Sequence, residues 1–219
     1  MSPEAQYGYN AAGATSMIDA AMYNRISDGD FRKLMYKAPA GHKLEAKVPY
    51  IDAEFAADLP EYTAIKFRPA QGECNDFNVG NAIDYCMMRI EEMYFIEMEA
   101  KYHLNPTEGV QLLKDFMTKY RDSSYNRIQS GADFATFKKE LLLQKRIEFW
   151  GEGILLFDYK RLDEPIDRSA SNHAGVFRLR TQRRSPQWNI VITRAEFQSN
   201  TAINDSNNNP DPSEKIEIL

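Results

Sequence analysis

Glu148 and Glu152 stand four residues apart, a spacing that puts two carboxylates on one face of a helix. Carboxyl pairs about 5–10 Å apart carry out acid–base chemistry in glycoside hydrolysis. Gly151 lies between them and interrupts a helix readily, while Arg146, Asp158 and Arg161 are near enough in sequence to engage them. The more ordinary reading of Arg146, Glu148, Glu152, Asp158 and Arg161 is a partly buried ion-pair network that fixes how a helix meets the segment after it. No nucleophile elbow, phosphate-binding glycine loop or His-Glu-x-x-His pattern occurs. His42, His103 and His173 are too dispersed for their spacing to suggest a metal site, and Cys74 and Cys86 are too few for a zinc module. One Cys74–Cys86 bridge and two free thiols are both compatible with the sequence. Neither a metal nor a cofactor is therefore expected. Arg178, Arg180, Arg183 and Arg184 form a local basic cluster that could grip an anion, or simply pair with nearby acids. The remaining candidates are aromatic. Tyr and Trp offer a flat apolar face with a polar edge, on which sugar rings stack. Tyr36, Tyr50, Tyr62 and Trp188 fall in loop or short-strand segments, where they either bind ligand or fill irregular core.

These residues need a scaffold. The 219 residues are 43% hydrophobic and 27% charged, enough for a real core. The net charge of −5 argues against nucleic acid, because neutralising phosphates needs a basic face. No apolar run approaches a bilayer span, and the N-terminus lacks the basic and apolar regions of a secretion signal. Residues 1–80 are rich in Pro, Gly and aromatics and read as ordered loops, with a short helix over 15–26 and a small strand at Tyr62–Phe67. Residues 81–102 read as a helix on the stripe Ile83, Met87, Ile90, Tyr94 and Met98, widened by Met93 and Ile96 so that two neighbours cover it. Asn105-Pro106-Thr107-Glu108 starts a second helix, with Asn as cap, Pro in the first turn and Glu108 reaching back. Its stripe is Val110, Leu113, Phe116, Met117 and Tyr120. The short turn between the two implies an antiparallel hairpin. A third helix runs over 133–150, stopped by Gly151 and Gly153. Beyond it, 151–219 is an irregular tail with an apolar piece at Ile154–Tyr159. Short strands are expected at Val176–Arg180 and Trp188–Ile192, joined by a loop over Thr181–Pro186, and a surface loop at Asn200–Ser213.

Three segments in order resemble the SusD/RagB family of nutrient-binding proteins. The stretch 89–100 is similar to the family's R-Y-x-E-x-x-L-x-x-A-E-A helix, with Arg89, Glu92, Glu99 and Ala100 in register. The stretch 144–161 resembles E-R-R-I-E-x-x-x-E-G-x-R-x-F-D-L-x-R, with Arg146, Glu148, Glu152, Gly153, Asp158 and Arg161 in place. Trp188, Ile190, Ile192, Glu196, Asn200, Ile203 and Asn209-Pro210 are similar to the closing W-x-I-P-x-x-E-x-x-x-N pattern. Gln144 replaces a usual Glu and Leu155 a usual Arg, a loss of two charges that points to a rearranged ion-pair network; Thr193 stands near a common Pro, and the closing Asn-Pro-Gly is not reproduced.

The resemblance covers about 25–212 and corresponds to the C-terminal part of a family member. It implies a mainly α fold in one domain, 1–219: tetratricopeptide-like helical hairpins packed against a loop-rich irregular subdomain with a few short strands. It also implies a non-catalytic binder of oligosaccharides, or of peptides, for uptake through a SusC-like TonB-dependent transporter. The parent would sit on the outer face of the outer membrane of Bacteroidetes by a lipid anchor absent from this chain. The family's ligand residues vary, so its motifs do not locate the site. Two other readings remain: a glycoside hydrolase using Glu148 and Glu152, and a peptide-binding tetratricopeptide-type scaffold, for which repeats near 34 residues are the signature.

Overall fold

The computed structural model describes residues 2–8, 15–49, 51–84, 86–184 and 188–209. It is mainly helical, and its extended pairing among the described residues is confined to isolated bridges. The chain divides into two compact units, Met1–Trp150 and Gly151–Leu219, where the sequence suggests one domain; the break falls between the third helix and the irregular tail.

In the first unit the early segment is built of short pieces. They are α1 (Ala20–Tyr23), a 3-10 turn (Phe31–Met35), α2 (Ala53–Ala57), a second 3-10 turn (Ala70–Gly72) and α3 (Phe77–Gly80). The expected helix over 15–26 shrinks to one turn, started by the Asp19 carboxylate accepting from the Met22 N–H. Residues 62–65 lie between two other segments. The Ile18 N–H donates to the Tyr62 carbonyl and Ala64 N–H to Ser16, while Tyr62 N–H donates to Lys37 and Ile65 N–H to Met35. The expected strand is thus reduced to the bridges Met17–Thr63 and Tyr36–Ala64.

Three helices of 15 residues follow: α4 (Ile90–Leu104), α5 (Pro106–Tyr120) and α6 (Phe134–Glu148). Helix α4 starts nine residues later than its periodicity suggests. Arg89 is held extended (φ −115°, ψ 155°) with its guanidinium on the side chain and carbonyl of Glu148, so Ile83 and Met87 precede the helix, exposed. The face α4 buries is Phe95, Met98 and Tyr102; of the predicted stripe only Met98 is buried. Helix α5 follows its prediction closely. Asn105 caps it, Pro106 opens it, and Val110, Leu113, Phe116 and Met117 are buried, with Tyr120 left outside. Glu108 does not reach back to the cap; its carboxylate holds Lys101 of α4 at 2.7 Å. The hairpin crossing is tight at Gly109, where a Cβ would lie 2.5 Å from the Tyr102 backbone.

Helix α6 is buried on most sides, including Glu140, Gln144, Lys145 and Glu148. Leu143 and Ile147 insert into the early-segment core beside Ile18, Tyr23 and Tyr36. Phe137 stacks on Tyr102 of α4 at 4.2 Å between ring centroids. One helix therefore serves both the loop-rich core and the hairpin. It ends at Glu148, and Gly151 (φ 78°) and Gly153 (φ 80°) take the left-handed conformation that stops it.

The second unit holds α7 (Leu155–Arg161), a 3-10 turn (Gly175–Phe177) and α8 (Arg194–Ser199). The expected strand pair is not formed. Residues 179–181 pair instead with 166–168, through Arg168 N–H to the Leu179 carbonyl and Thr181 N–H to Ile166. The stretch 188–209 is tied by asparagines: Asn208 accepts from the Ile192 N–H and donates to the Ile192 carbonyl, and Asn209 donates to Ile190. Part of the predicted loop over Thr181–Pro186, together with Pro210 and the end of the Asn200–Ser213 loop, lies outside the described residues. No helix among the described residues is long and apolar enough to cross a membrane.

Candidate functional site

The strongest polar assembly centres on Glu148, the last residue of α6. Arg121, just past α5, grips it with two bonds, Nε to Oε2 at 2.8 Å and Nη2 to Oε1 at 3.0 Å. Arg32 donates to Oε2 at 3.0 Å and Arg89, just before α4, to Oε1 at 3.1 Å. Asp30 neutralises Arg32 at 2.6 Å, and Glu91 bridges Arg89 and Arg121 at 3.0 and 3.1 Å. Three guanidinium groups thus meet three carboxylates, so the buried charge is balanced. Burial pushes the Glu148 carboxyl up, but Arg121, Arg32 and Arg89 outweigh it and hold its pKa at about 2. A carboxylate held so low does not deliver a proton near neutral pH. The helix ends at Glu148 and Gly151 turns left-handed, so Glu148 and Glu152 do not share a helical face. The shared helical face expected of the pair is thereby corrected.

Arg146, Glu152, Asp158 and Arg161 are the other residues expected in the network. Arg146 is half-buried and takes no part in the Glu148 cluster. Asp158 and Arg161 pair within α7 at 2.7 Å, and Glu152 is half-buried in the second unit. The partners of Glu148 that the sequence reading does not name for this role are Arg32, Arg89 and Arg121. Arg89 carries the signal that could have found it, since it begins the first motif. Gln144 has a local reason to be an amide where the motif it resembles has a carboxylate. Its Oε1 accepts from Arg32 at 2.7 Å while its Nε2 donates to Glu140 at 2.7 Å. A Glu there would set two carboxylates against each other.

The four aromatic candidates do not form one site. Tyr36 is 2% exposed, edge-on to Trp150 in the core, so it has no face for a ligand; burial corrects that assignment. Tyr50 lies outside the described residues. Tyr62 is half-buried against Tyr23, with φ 68°. Trp188 belongs to the second unit, half-buried and edge-on to Tyr159, its carbonyl accepting from Lys160 at 3.0 Å. A different aromatic surface is displayed in the first unit. Tyr94 of α4 and Tyr120 of α5 are both exposed, their ring centroids 6.3 Å apart and their planes inclined by 34°. Tyr94 rests on Phe116, and the Lys119 ammonium lies 4.9 Å from the Tyr120 ring. Hydrogen bonding from Lys119, with a smaller contribution from Tyr94, holds the Tyr120 phenol below its ordinary pKa. Beside them Arg121 lies between Phe116 and the exposed Phe31. Sequence reading places Tyr94 and Tyr120 in core stripes; their exposure follows from the face each helix turns inward.

The basic cluster is largely engaged locally. Arg183 pairs with Asp163 at 2.7 Å, Arg180 with Asp167 at 3.2 Å, Arg178 donates to the His173 carbonyl and Arg184 to that of Lys160. Both cysteines are free thiols. No group of three or more His, Cys, Asp or Glu able to hold a metal ion occurs among the described residues.

No family model matches the chain, and no curated protein matches it. Among solved structures it is similar to a SusD-like carbohydrate binding protein from Bacteroides vulgatus, with 23% sequence identity and a TM-score of 0.42. The similarity covers 69% of this chain and 28% of that one.

Proposed function

We propose that this chain is part of a SusD/RagB-like surface binding protein that captures oligosaccharides without chemistry. The observation that carries the reading is the meeting of Arg89 and Glu148 at 3.1 Å. They come from the two most telling motifs, 59 positions apart, and the contact gives both motifs one physical role: joining the hairpin to α6. On this reading the parent protein is lipid-anchored on the outer face of the outer membrane. It passes its ligand to a SusC-like TonB-dependent transporter. The Tyr94–Tyr120 surface serves as a stacking platform, with Lys119 and the two phenol groups supplying hydrogen bonds to sugar hydroxyls. Against the hydrolase alternative stand the three arginines that hold Glu148 as an ion and the helix end that separates it from Glu152.

Calorimetric titration against a panel of soluble plant, host and microbial polysaccharides tests this. Saturable binding to one class is expected, weakened at least about tenfold in Tyr94→Ala/Tyr120→Ala, roughly 1.4 kcal/mol. Binding that persists in that variant and falls in Tyr62→Ala or Trp188→Ala would move the platform. A wholly silent panel alongside a binding peptide library would replace the sugar by a peptide.

A further inference from the structure

The Tyr94–Tyr120 surface carries a cation that no acid among the described residues claims. Lys119 is exposed on α5, and its ammonium lies 4.9 Å from the centroid of the Tyr120 ring. What raises its pKa is the Tyr120 phenol, and after it Tyr94, rather than a carboxylate. The other end of the same hairpin shows the alternative. There Lys101 of α4 meets Glu108 of α5 at 2.7 Å, and Glu108 is what raises its pKa.

The acids that could serve Lys119 are engaged elsewhere. Asp115, one turn earlier on α5, accepts from the Gln111 amide at 2.7 Å. Asp122, three residues later, accepts from the Ser124 hydroxyl at 2.6 Å. On α4, Glu91 binds Arg89 and Arg121, and Glu97 acts on Lys101. Arg121, next to Tyr120, is already balanced by Glu148 and Glu91. The surface therefore presents two aromatic rings, two phenol groups and the unbalanced Lys119 charge. The net charge of −5 for the whole chain does not cancel it, because exposed charges farther apart than about 8 Å are largely screened at physiological ionic strength.

A neutral sugar would use the rings and the phenols and leave the ammonium in water. A sugar bearing a carboxylate or sulfate ester uses all three. Its apolar face lies on tyrosine, its hydroxyls meet the phenols, and its anion accepts a charge-assisted hydrogen bond from the ammonium. We infer that the Tyr94–Tyr120–Lys119 surface selects acidic oligosaccharides, whose carboxylate or sulfate ester is met by Lys119. This rests on the oligosaccharide reading and names the ligand class of its platform.

The test titrates the 219-residue chain by calorimetry with matched oligomers of glucose and glucuronate, galactose and galacturonate, and mannose and mannuronate, together with a sulfated galactose oligomer. An acidic oligomer is expected to bind about tenfold tighter, or more, than its neutral counterpart. Preference for a uronate names the carboxylate as the anion, and preference for the sulfated oligomer names the sulfate. Lys119→Gln, at an exposed position, should bring acidic and neutral members within about twofold of each other, and Lys119→Arg should keep the preference. Tyr94→Ala/Tyr120→Ala should weaken both members. Equal binding within every pair, or a preference untouched by Lys119→Gln, overturns the inference and leaves the oligosaccharide reading standing. A polyglutamate peptide that binds as tightly as the acidic oligomers also overturns it. Silence across all the oligomers overturns it as well, and the wider polysaccharide panel then judges the oligosaccharide reading by itself.

Discussion

Helices α4 and α5 have equal length and lie side by side, yet they solve different problems. Helix α5 has one apolar side, buried at Val110, Leu113, Phe116 and Met117, and turns Gln111, Asp115 and Thr118 away from the core. Helix α4 has two apolar sides and buries one. Segregation of polar from apolar residues tells α5 which way to face. In α4 the orientation is imposed from outside, by Arg89 at its start, Phe149 against Phe95, and the crossing at Gly109. A helix that is apolar all round is normally enclosed; α4 is enclosed on one side only.

Removing the anchor common to both helices should have the largest effect. Glu148 receives Arg89 from the start of α4 and Arg121 from the end of α5, so Glu148→Gln should cost about 3 kcal/mol or more in urea denaturation. The Glu148 pKa is lowered, so its contribution is complete above its ordinary value near 4.5 and is lost as pH falls toward about 2. The stability of Glu148→Gln should accordingly fall less steeply than that of the wild type across that window. An equally steep acid limb in the variant would assign the effect to other carboxylates, such as Asp28, which Lys33 and Lys43 hold at about 2.

The two sides of α4 can be compared within one helix. Phe95→Ala should cost about 3–5 kcal/mol, whereas the adjacent Ile96→Ala should stay within about 0.5 kcal/mol. Similar losses at both positions would mean that the outer side of α4 is already covered in this chain. An intermediate loss is expected at the crossing. Gly109→Ala gains helix propensity of about 1 kcal/mol but forces a methyl into the Tyr102 backbone, for a net loss of about 1 kcal/mol. A stabilised Gly109→Ala would show that α4 can slide along α5, and that its orientation is set by Arg89 alone.

This contrast also marks what the sequence discloses. The start of α5 is legible because Asn105 and Pro106 act locally, and its inner face is legible because polar and apolar residues segregate. In α4 the periodicity of Ile83, Met87 and Ile90 continues a helix that the chain does not form, because Arg89 is drawn to a residue 59 positions away. Its inner face is illegible since both sides are equally apolar. Motif comparison places Glu148 in an ion-pair network but cannot supply Arg32, 116 residues distant. The aromatic site fares worst. Burial decides whether a tyrosine is filling or platform, and burial of Tyr36 depends on the packing of α6 beneath it.

The last turn of α6 has one more consequence. The carbonyls of Glu148 and Trp150 accept from Lys66, and that of Glu148 also from Arg89, so the helix terminus is closed by one cation from the loop-rich segment and one from the start of α4. Neither the helix end nor those loops is complete without the other. Amide protons near Ile65, bonded to Met35, and those in the last turn of α6 should therefore exchange with solvent in a single opening event, at one shared free energy. In kinetic terms, the irregular half of this unit is not a late decoration on a helical frame but part of the same cooperative block.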